Sequence, residues 1–466
     1  MINIAKPFIS FSGLGFTKKL FMWSVLLEPM LYFIFYYGTI FFVSGNLSKM
    51  LQTFLFICVF FRFWVYYISQ QKYQINFSQF NSPTYYFLGI YFLYTFISLL
   101  VGFGLGMYSL ELSFDQSNDF PHGSFQGGVS NKIIGSYFIF LYYILLFTVF
   151  TVSFLDNKEA LNYFFRLFKI IFLITIITGY VDFFVYALTG IDLIARHFFD
   201  GVGVGARFHG FAGEPRQAAV YLMFSLAVLH LECIFTRTKF KNFYYLLIAP
   251  AFLLTMSVTG ILMLAIFFGL SSLYFLRDIF SKRTLIFFVS STLTIIAGYF
   301  FVTSIERFQD YIKAFDDLFF LLDSGAELPL LIRVQIGEIA PVFEMFSMAR
   351  DGNFLPVIFG SGLGSVPVTL YGFLGNMDGW GNPNSQIIRI LFETGLLGLL
   401  VYCLAFIYPI KFLTSHLSDQ ESRIIYLSMM LVLAANLALR SSTLLIYFGL
   451  LIATMTIMQK HSHSSK

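Results

Sequence analysis

The chain has 466 residues, of which 58% are hydrophobic, 20% aromatic and 12% charged, and its formal net charge is +4. Soluble domains carry about 25% charged residues, so the composition excludes an ordinary water-soluble fold. So small a net charge gives no reason to expect a nucleic acid partner.

Apolar runs of about 20 residues recur along the whole length, which is the signature of transmembrane helices. No short apolar segment with a small-residue cleavage site opens the chain, and Lys6, Lys18 and Lys19 precede the first run. The N-terminus is therefore expected to be uncleaved and cytoplasmic. In chain order, spans are predicted at 20–43, 50–69, 84–106, 134–155, 168–189, 217–235, 243–257, 259–277, 284–303, 386–410, 423–439 and 441–458, about twelve in all. The seventh is short and meets the eighth at SVTG (257–260), a tight turn. With no repeat, low-complexity tract or soluble domain, residues 1–466 read as a single all-α transmembrane domain. Cys58, Cys233 and Cys403 are scattered through the apolar runs and make neither a disulfide framework nor a metal site.

Positive charge sorts to one side. Lys72, the cluster Lys158, Arg166 and Lys169, the cluster Arg237, Lys239 and Lys241, and the cluster Arg277, Lys282 and Arg283 all fall in alternate loops. Lys411, Arg423, Lys460 and Lys466 fall on the same side, while the short opposite turns hold little beyond Lys49 and Arg440. By the positive-inside rule both termini are cytoplasmic. Three longer loops, 107–133, 190–216 and 304–385, then face outward. At the start of the last, Ile305, Phe308, Ile312, Phe315, Phe319 and Leu322 share one helical face, suited either to the outer interface or to packing on neighbouring helices.

Few ionisable residues lie deep in the predicted spans. Glu28, Arg62 and Asp182 are the main ones and form no evident relay, whereas a transporter is expected to keep functional charge near mid-membrane. The outer loops instead carry Arg196, Arg207 and Arg216, then Arg307, Arg333 and Arg350. Arginine is a planar fork that matches phosphate oxygens and stays charged. As a group these residues suit the diphosphate of a lipid-linked substrate; individually, headgroup contact or local ion pairing accounts for them equally.

RFHGFAGEPRQAAVYL (207–222) concentrates this charge just before an apolar run. Pro215 suits a first helical turn, so the sixth span starts near Glu214–Pro215 with its free N–H groups and positive dipole end outward. Glu214 either pairs with Arg207 or Arg216 or takes a proton from a sugar hydroxyl. His209 is a second candidate base, or simply structural. LIRVQIGEIAPVFEMF (331–346) reads as a helix bent at Pro341, with Arg333, Gly337 and Glu344 near one face. GSGLGS (360–365) is either an anion nest or a flexible turn; with no strand before it, it is not a dinucleotide-binding loop. In GNPNSQIIRILFETGLLGLL (381–400), Asn382, Asn384, Ser385 and Gln386 suit sugar hydroxyls. Gly395 and Gly398 permit close helix packing, and Arg389 and Glu393, four apart, can pair.

These stretches resemble the O-antigen polymerase/ligase superfamily, the Wzy-type polymerases and WaaL-type ligases. RFHGFAGEPRQAAVYL is similar to the polymerases' R-x-x-G-x-x-x-E/D-P/N-x-x-x-A stretch leading into a span. The order Arg333, GSGLGS, NPNSQIIRILFETGLLG resembles their later block. The architecture matches over nearly the whole chain, the motifs over a small part of it. One departure is informative: the position that the ligases fill with a catalytic histidine is Asn384 here, and asparagine is no general base, which favours the polymerases.

The resemblance implies a metal-independent, cofactor-free, inverting glycosyltransferase of the GT-C type with large periplasmic loops, in the bacterial inner membrane. The growing glycan leaves its undecaprenyl-diphosphate carrier and joins the non-reducing end of one lipid-linked repeat unit. In those terms Arg207, Arg216 and Arg333, with Arg440 as a further member, hold the diphosphate. Glu214 is the first candidate base and His209 the second, while Asn384 and Asn382 position acceptor hydroxyls. The expected partners are the lipid-linked donor and acceptor, the bilayer and a chain-length regulator with spans of its own. Two rivals remain: a ligase moving finished polymer onto lipid A-core, and a lipid-linked oligosaccharide flippase.

Overall fold

The computed structural model describes residues 15–27, 44–68, 83–105, parts of 137–155, 157–191, 193–194, 207–213, 215–238, 242–257, 342, 345–362, 386–414 and scattered positions between 426 and 458. The predicted spans at 259–277 and 284–303, most of those at 423–439 and 441–458, the loop 107–133 and most of the loop 304–385 lie outside them. So do the predicted interfacial helix at 305–323, Glu28 and the side chain of Arg62.

The described residues are all-helical, without a β-strand. In order they are α1 (Phe16–Leu27), α2 (Ser44–Ile68), α3 (Pro83–Gly104), α4 (Thr151–Phe154), α5 (Lys158–Thr189), a 3-10 turn (Gly210–Ala212), α6 (Pro215–Thr236), α7 (Asn242–Leu254), α8 (Leu355–Phe359) and α9 (Gln386–Thr414). Among the described residues, α3, α5, α6 and the Ile387–Lys411 part of α9 are long and apolar enough to cross a membrane. They coincide with the third, fifth, sixth and tenth predicted spans. The chain is an α-helical protein of membrane-spanning character. α7 is apolar but has only 13 residues, with Pro250 inside it, in keeping with the short seventh span.

α5 starts ten residues before the predicted span because its ends are firmly set. Asn157, in extended conformation, caps the first turn by accepting the Ala160 N–H at 2.8 Å, and Glu159 places negative charge at the positive dipole end. Gly190 adopts the left-handed conformation (φ 71°) that closes the other end, donating its N–H to Tyr186 O. At about 1.5 Å per residue the 32-residue helix outruns a hydrocarbon core of roughly 30 Å.

The helices group by ring packing. Phe21 of α1 stacks on Phe154 of α4 at 4.6 Å, and Tyr91 of α3 meets Tyr402 of α9 at 5.2 Å. α5, α6 and α7 form the third group, through Phe168 against Phe224 at 5.9 Å and Phe172 against Tyr244 at 6.2 Å. α6 is central: 72% of its apolar window is buried within the protein, against 33% for α3 and α5. Lys169 of α5 pairs with Glu232 of α6 at 2.6 Å, and the Tyr180 hydroxyl donates to Leu247 O of α7 at 2.7 Å. Lys18, expected as flanking charge, is buried in α1, while Lys19 lies over the Tyr163 ring at 5.9 Å, a cation–π contact.

Candidate functional site

RFHGFAG (207–213) sits where α5, α6 and α7 meet, seated on one face of α5 formed by Thr175, Gly179 and Asp182, whose spacing places them on adjacent turns. Gly179 is what lets it approach. A Cβ there would lie 2.6 Å from Cζ and 2.7 Å from Cε2 of Phe208, and 3.2 Å from Gly210 Cα. The buried Phe208 ring also packs edge-on against Tyr180 at 5.4 Å. Gly210 turns the chain with φ +50°, over the Thr175 carbonyl. We expect Gly179→Ala to destabilise the protein by about 1–3 kcal/mol through overpacking. A second substitution, Phe208→Leu, should recover part of the thermal stability measured in detergent. No loss in Gly179→Ala would mean that this seat is loose.

His209 and Asp182 form the polar centre of the seat. Each side chain is 1% exposed, and His209 Nε2 lies 3.0 Å from Asp182 Oδ2. This close polar contact joins the loop to α5. His209 Nδ1 is 2.9 Å from Gly210 O; a carbonyl can only accept, so Nδ1 carries a proton. The other oxygen, Asp182 Oδ1, accepts the N–H groups of Leu193 and Ile194, both at 2.8 Å. The sequence reading missed this pairing, although both residues were singled out.

Arg207 faces α7. Its Nε and Nη2 donate to Thr255 O at 3.0 Å and Met256 O at 2.8 Å, and Phe208 N donates to Leu254 O at 2.8 Å. These are carbonyls at the negative end of α7, where Met256 is held at φ 45°. The guanidinium thus ties the loop to α7. Arg216, half-buried, follows Pro215 in the first turn of α6.

A second polar centre lies where α3, α8 and α9 meet. α9 is broken at Gly395 (φ 71°, ψ −177°), a backbone conformation open almost only to glycine. The carbonyls around the break find partners elsewhere: Phe392 O accepts from Ser361 N at 2.8 Å, and Glu393 O accepts from Gly362 N at 3.2 Å and from the Ser98 hydroxyl. Gly360 (φ 83°, ψ 174°) and Gly395 let the two backbones touch. Gly395 therefore both interrupts the helix and lets α8 pack closely against it, while Gly398 clears the Thr394 side chain of its own helix. Two N–H groups of GSGLGS are engaged by α9, so this part of the stretch is neither an anion nest nor a loose turn. Arg389 and Glu393 pair as expected at 3.0 Å, with Glu393 buried.

Of the site residues expected from sequence, Arg207 and His209 lie in the loop that leads into α6, bonded to the end of α7 and to α5, and Arg216 lies in the first turn of α6. Glu214 lies between them in the chain but outside the described residues, as do Arg333, Asn382, Asn384 and Arg440. Among the described residues no group of three or more His, Cys, Asp or Glu is placed to hold a metal ion. No protein-family model, curated protein or solved structure matches the chain.

Proposed function

We propose that the chain is a polysaccharide polymerase of the O-antigen type, a GT-C-type glycosyltransferase of about twelve spans. It joins undecaprenyl-diphosphate-linked repeat units at the outer face of the bacterial inner membrane, with both termini cytoplasmic. The observation that best supports this reading is Arg216 in the first turn of α6, a helix end that favours anions, with Arg207 in the loop that leads to it. The order of motifs along the chain supports it too.

In the proposed reaction the bond between the donor's anomeric carbon and its phosphate oxygen breaks, and the electron pair leaves on the diphosphate. An acceptor hydroxyl oxygen bonds to that carbon from the opposite face, inverting it, and the hydroxyl proton passes to Glu214. Arg207, Arg216 and Arg333, with Arg440, offset the charge that develops on the diphosphate. Asn384 and Asn382 orient the acceptor, and a chain-length regulator sets when transfer stops.

Deleting the gene and resolving the host's lipopolysaccharide on a gel tests the reading. Core carrying a single repeat, without a ladder, is the expected result. Bare core with long polymer retained on undecaprenyl diphosphate would identify a ligase instead. Bare core with single repeats on the cytoplasmic side would identify a flippase, a reading that the broken α9 and the Arg389–Glu393 pair, with Glu393 buried, favour. In the complemented strain, Glu214→Gln should lower transfer by about 100-fold or more. Normal polymer from that variant removes Glu214 from the mechanism, and normal polymer from Arg207→Ala removes the diphosphate role of Arg207.

A further inference from the structure

We propose that α8 is an intramembrane helix: it lies at the depth of the bilayer's hydrocarbon rather than in an aqueous loop, and Phe354, Leu355 and Ile358 rest against lipid acyl chains. This holds for a polymerase, a ligase or a flippase alike.

The depth follows from what α8 touches. α3 and α9 run antiparallel in register: the Ser98 hydroxyl donates to Glu393 O, Tyr91 meets Tyr402 at 5.2 Å, and Phe87 meets Tyr408 at 6.2 Å. Gly104 and Ile387, at the ends of their spans, therefore mark the same membrane face. At about 1.5 Å per residue, Glu393 stands about 9 Å below that face and Tyr94 about 15 Å below it. Phe359 stacks on Tyr94 with ring centroids 6.1 Å apart, and Ser361 and Gly362 donate their N–H groups to Phe392 O and Glu393 O. In a hydrocarbon core roughly 30 Å thick, these contacts put the C-terminal end of α8 between a third of the way in and the middle.

Backbone stands at such a depth only when its polar groups are satisfied, and α8 meets that condition. Pro356 has no N–H to satisfy. Val357 and Ile358 donate to Phe354 O at 3.1 and 3.3 Å, and Gly360 donates to Pro356 O at 2.9 Å. The irregular chain that follows, Gly360 to Gly362, is buried in protein and bonded to the break in α9.

The side chains fit as well. Phe354, Leu355 and Ile358 are exposed, and they continue the apolar surface that α3 and α9 expose at similar depth through Leu93 and Leu396. Arg350 and Asp351, both exposed, come just before. After them, residues 352–377 contain no Asp, Glu, Lys, Arg or His, whereas a loop in water is ordinarily polar.

Spin labels on the full-length protein in liposomes test the depth, in a background carrying Cys58→Ala, Cys233→Ala and Cys403→Ala. Leu355→Cys and Ile358→Cys are the probes, with Leu93→Cys as the lipid reference and Arg350→Cys as the water reference. Power saturation reads collisions with oxygen, which enters hydrocarbon, and with a neutral nickel chelate, which stays in water. We expect the labels at 355 and 358 to favour oxygen over nickel as the label at 93 does, and the label at 350 to favour nickel. Before labelling, the two probe cysteines should react with a membrane-impermeant maleimide about tenfold more slowly than Arg350→Cys, because apolar surroundings suppress the thiolate.

Nickel access above oxygen access at 355 and 358 would put α8 in water and overturn the proposal. Labels screened from both reagents would put protein over α8 and overturn the lipid contact. Should the cysteine-free background not accumulate, Leu355→Trp in the otherwise unaltered chain takes its place. Lipid brominated on its acyl chains should then quench the added fluorescence while aqueous iodide does not, and the reverse pattern overturns the proposal.

Discussion

Gly395→Ala should prevent the α8–α9 crossing from forming and leave little folded protein. The added Cβ would collide with the backbone of Ile358 and come within 2.7 Å of Gly360 N, and φ at this position is +71°. Backbone of this kind costs a non-glycine residue about 1–3 kcal/mol, and the collision is with main chain on a second element, which cannot rotate away. Together these reach about 3–5 kcal/mol. Gly360→Ala should behave alike, because its Cβ would meet the backbone of Glu393 and Thr394. Gly89→Ala is the control: it lies within α3 with nothing within 4 Å of the added Cβ, and should be neutral or stabilising by about 0.5–1 kcal/mol. Monodisperse yield and thermal midpoint in detergent measure all three. A Gly395→Ala protein as stable as the Gly89→Ala control would show that the crossing is not closed as described.

Asp182→Ala carries the second large effect. It strands the buried His209 ring and two N–H groups that now share one carboxylate. Leaving buried polar groups without a partner costs about 1–3 kcal/mol for each group, whereas a neutral partner of similar shape is far milder. We therefore expect a large drop in thermal midpoint for Asp182→Ala and a small one for Asp182→Asn. A double-mutant cycle with His209→Leu should recover much of the coupling, since the second change removes the stranded ring. Strictly additive losses would mean that the two side chains do not sense each other.

The apolar runs were enough to read α3, α5, α6 and the tenth span, because a spanning helix is announced by length and composition alone. The start of α6 at Pro215 and the Arg389–Glu393 pair were also legible, each depending on spacing within a single element. Asp182 with His209 was not, because the pairing depends on how the intervening loop returns to α5. Nor was the α9 break, since a glycine in an apolar helix reads equally as a packing contact. Its cause lies in Ile358–Gly362 and Ser98, which no local pattern ties to Gly395. The candidate residues Glu214, Arg333, Asn382, Asn384 and Arg440 lie outside the described residues, so the site is traced around Arg207, His209 and Arg216.

The break in α9 also has a bearing on synthesis. Ser98, whose hydroxyl reaches Glu393 O, is 295 residues away along the chain. At about 5–20 residues per second, the ribosome makes Ser98 roughly 15–60 s before its partner exists. Until then its hydroxyl has only its own helix and passing lipid or translocon to bond with. α3 must wait in the bilayer with an open acceptor site in prospect, and α9 must arrive already bent or bend on contact. Chains stalled between the two points would hold α3 without its joint, and a membrane quality-control protease could distinguish them from finished ones by that exposed face.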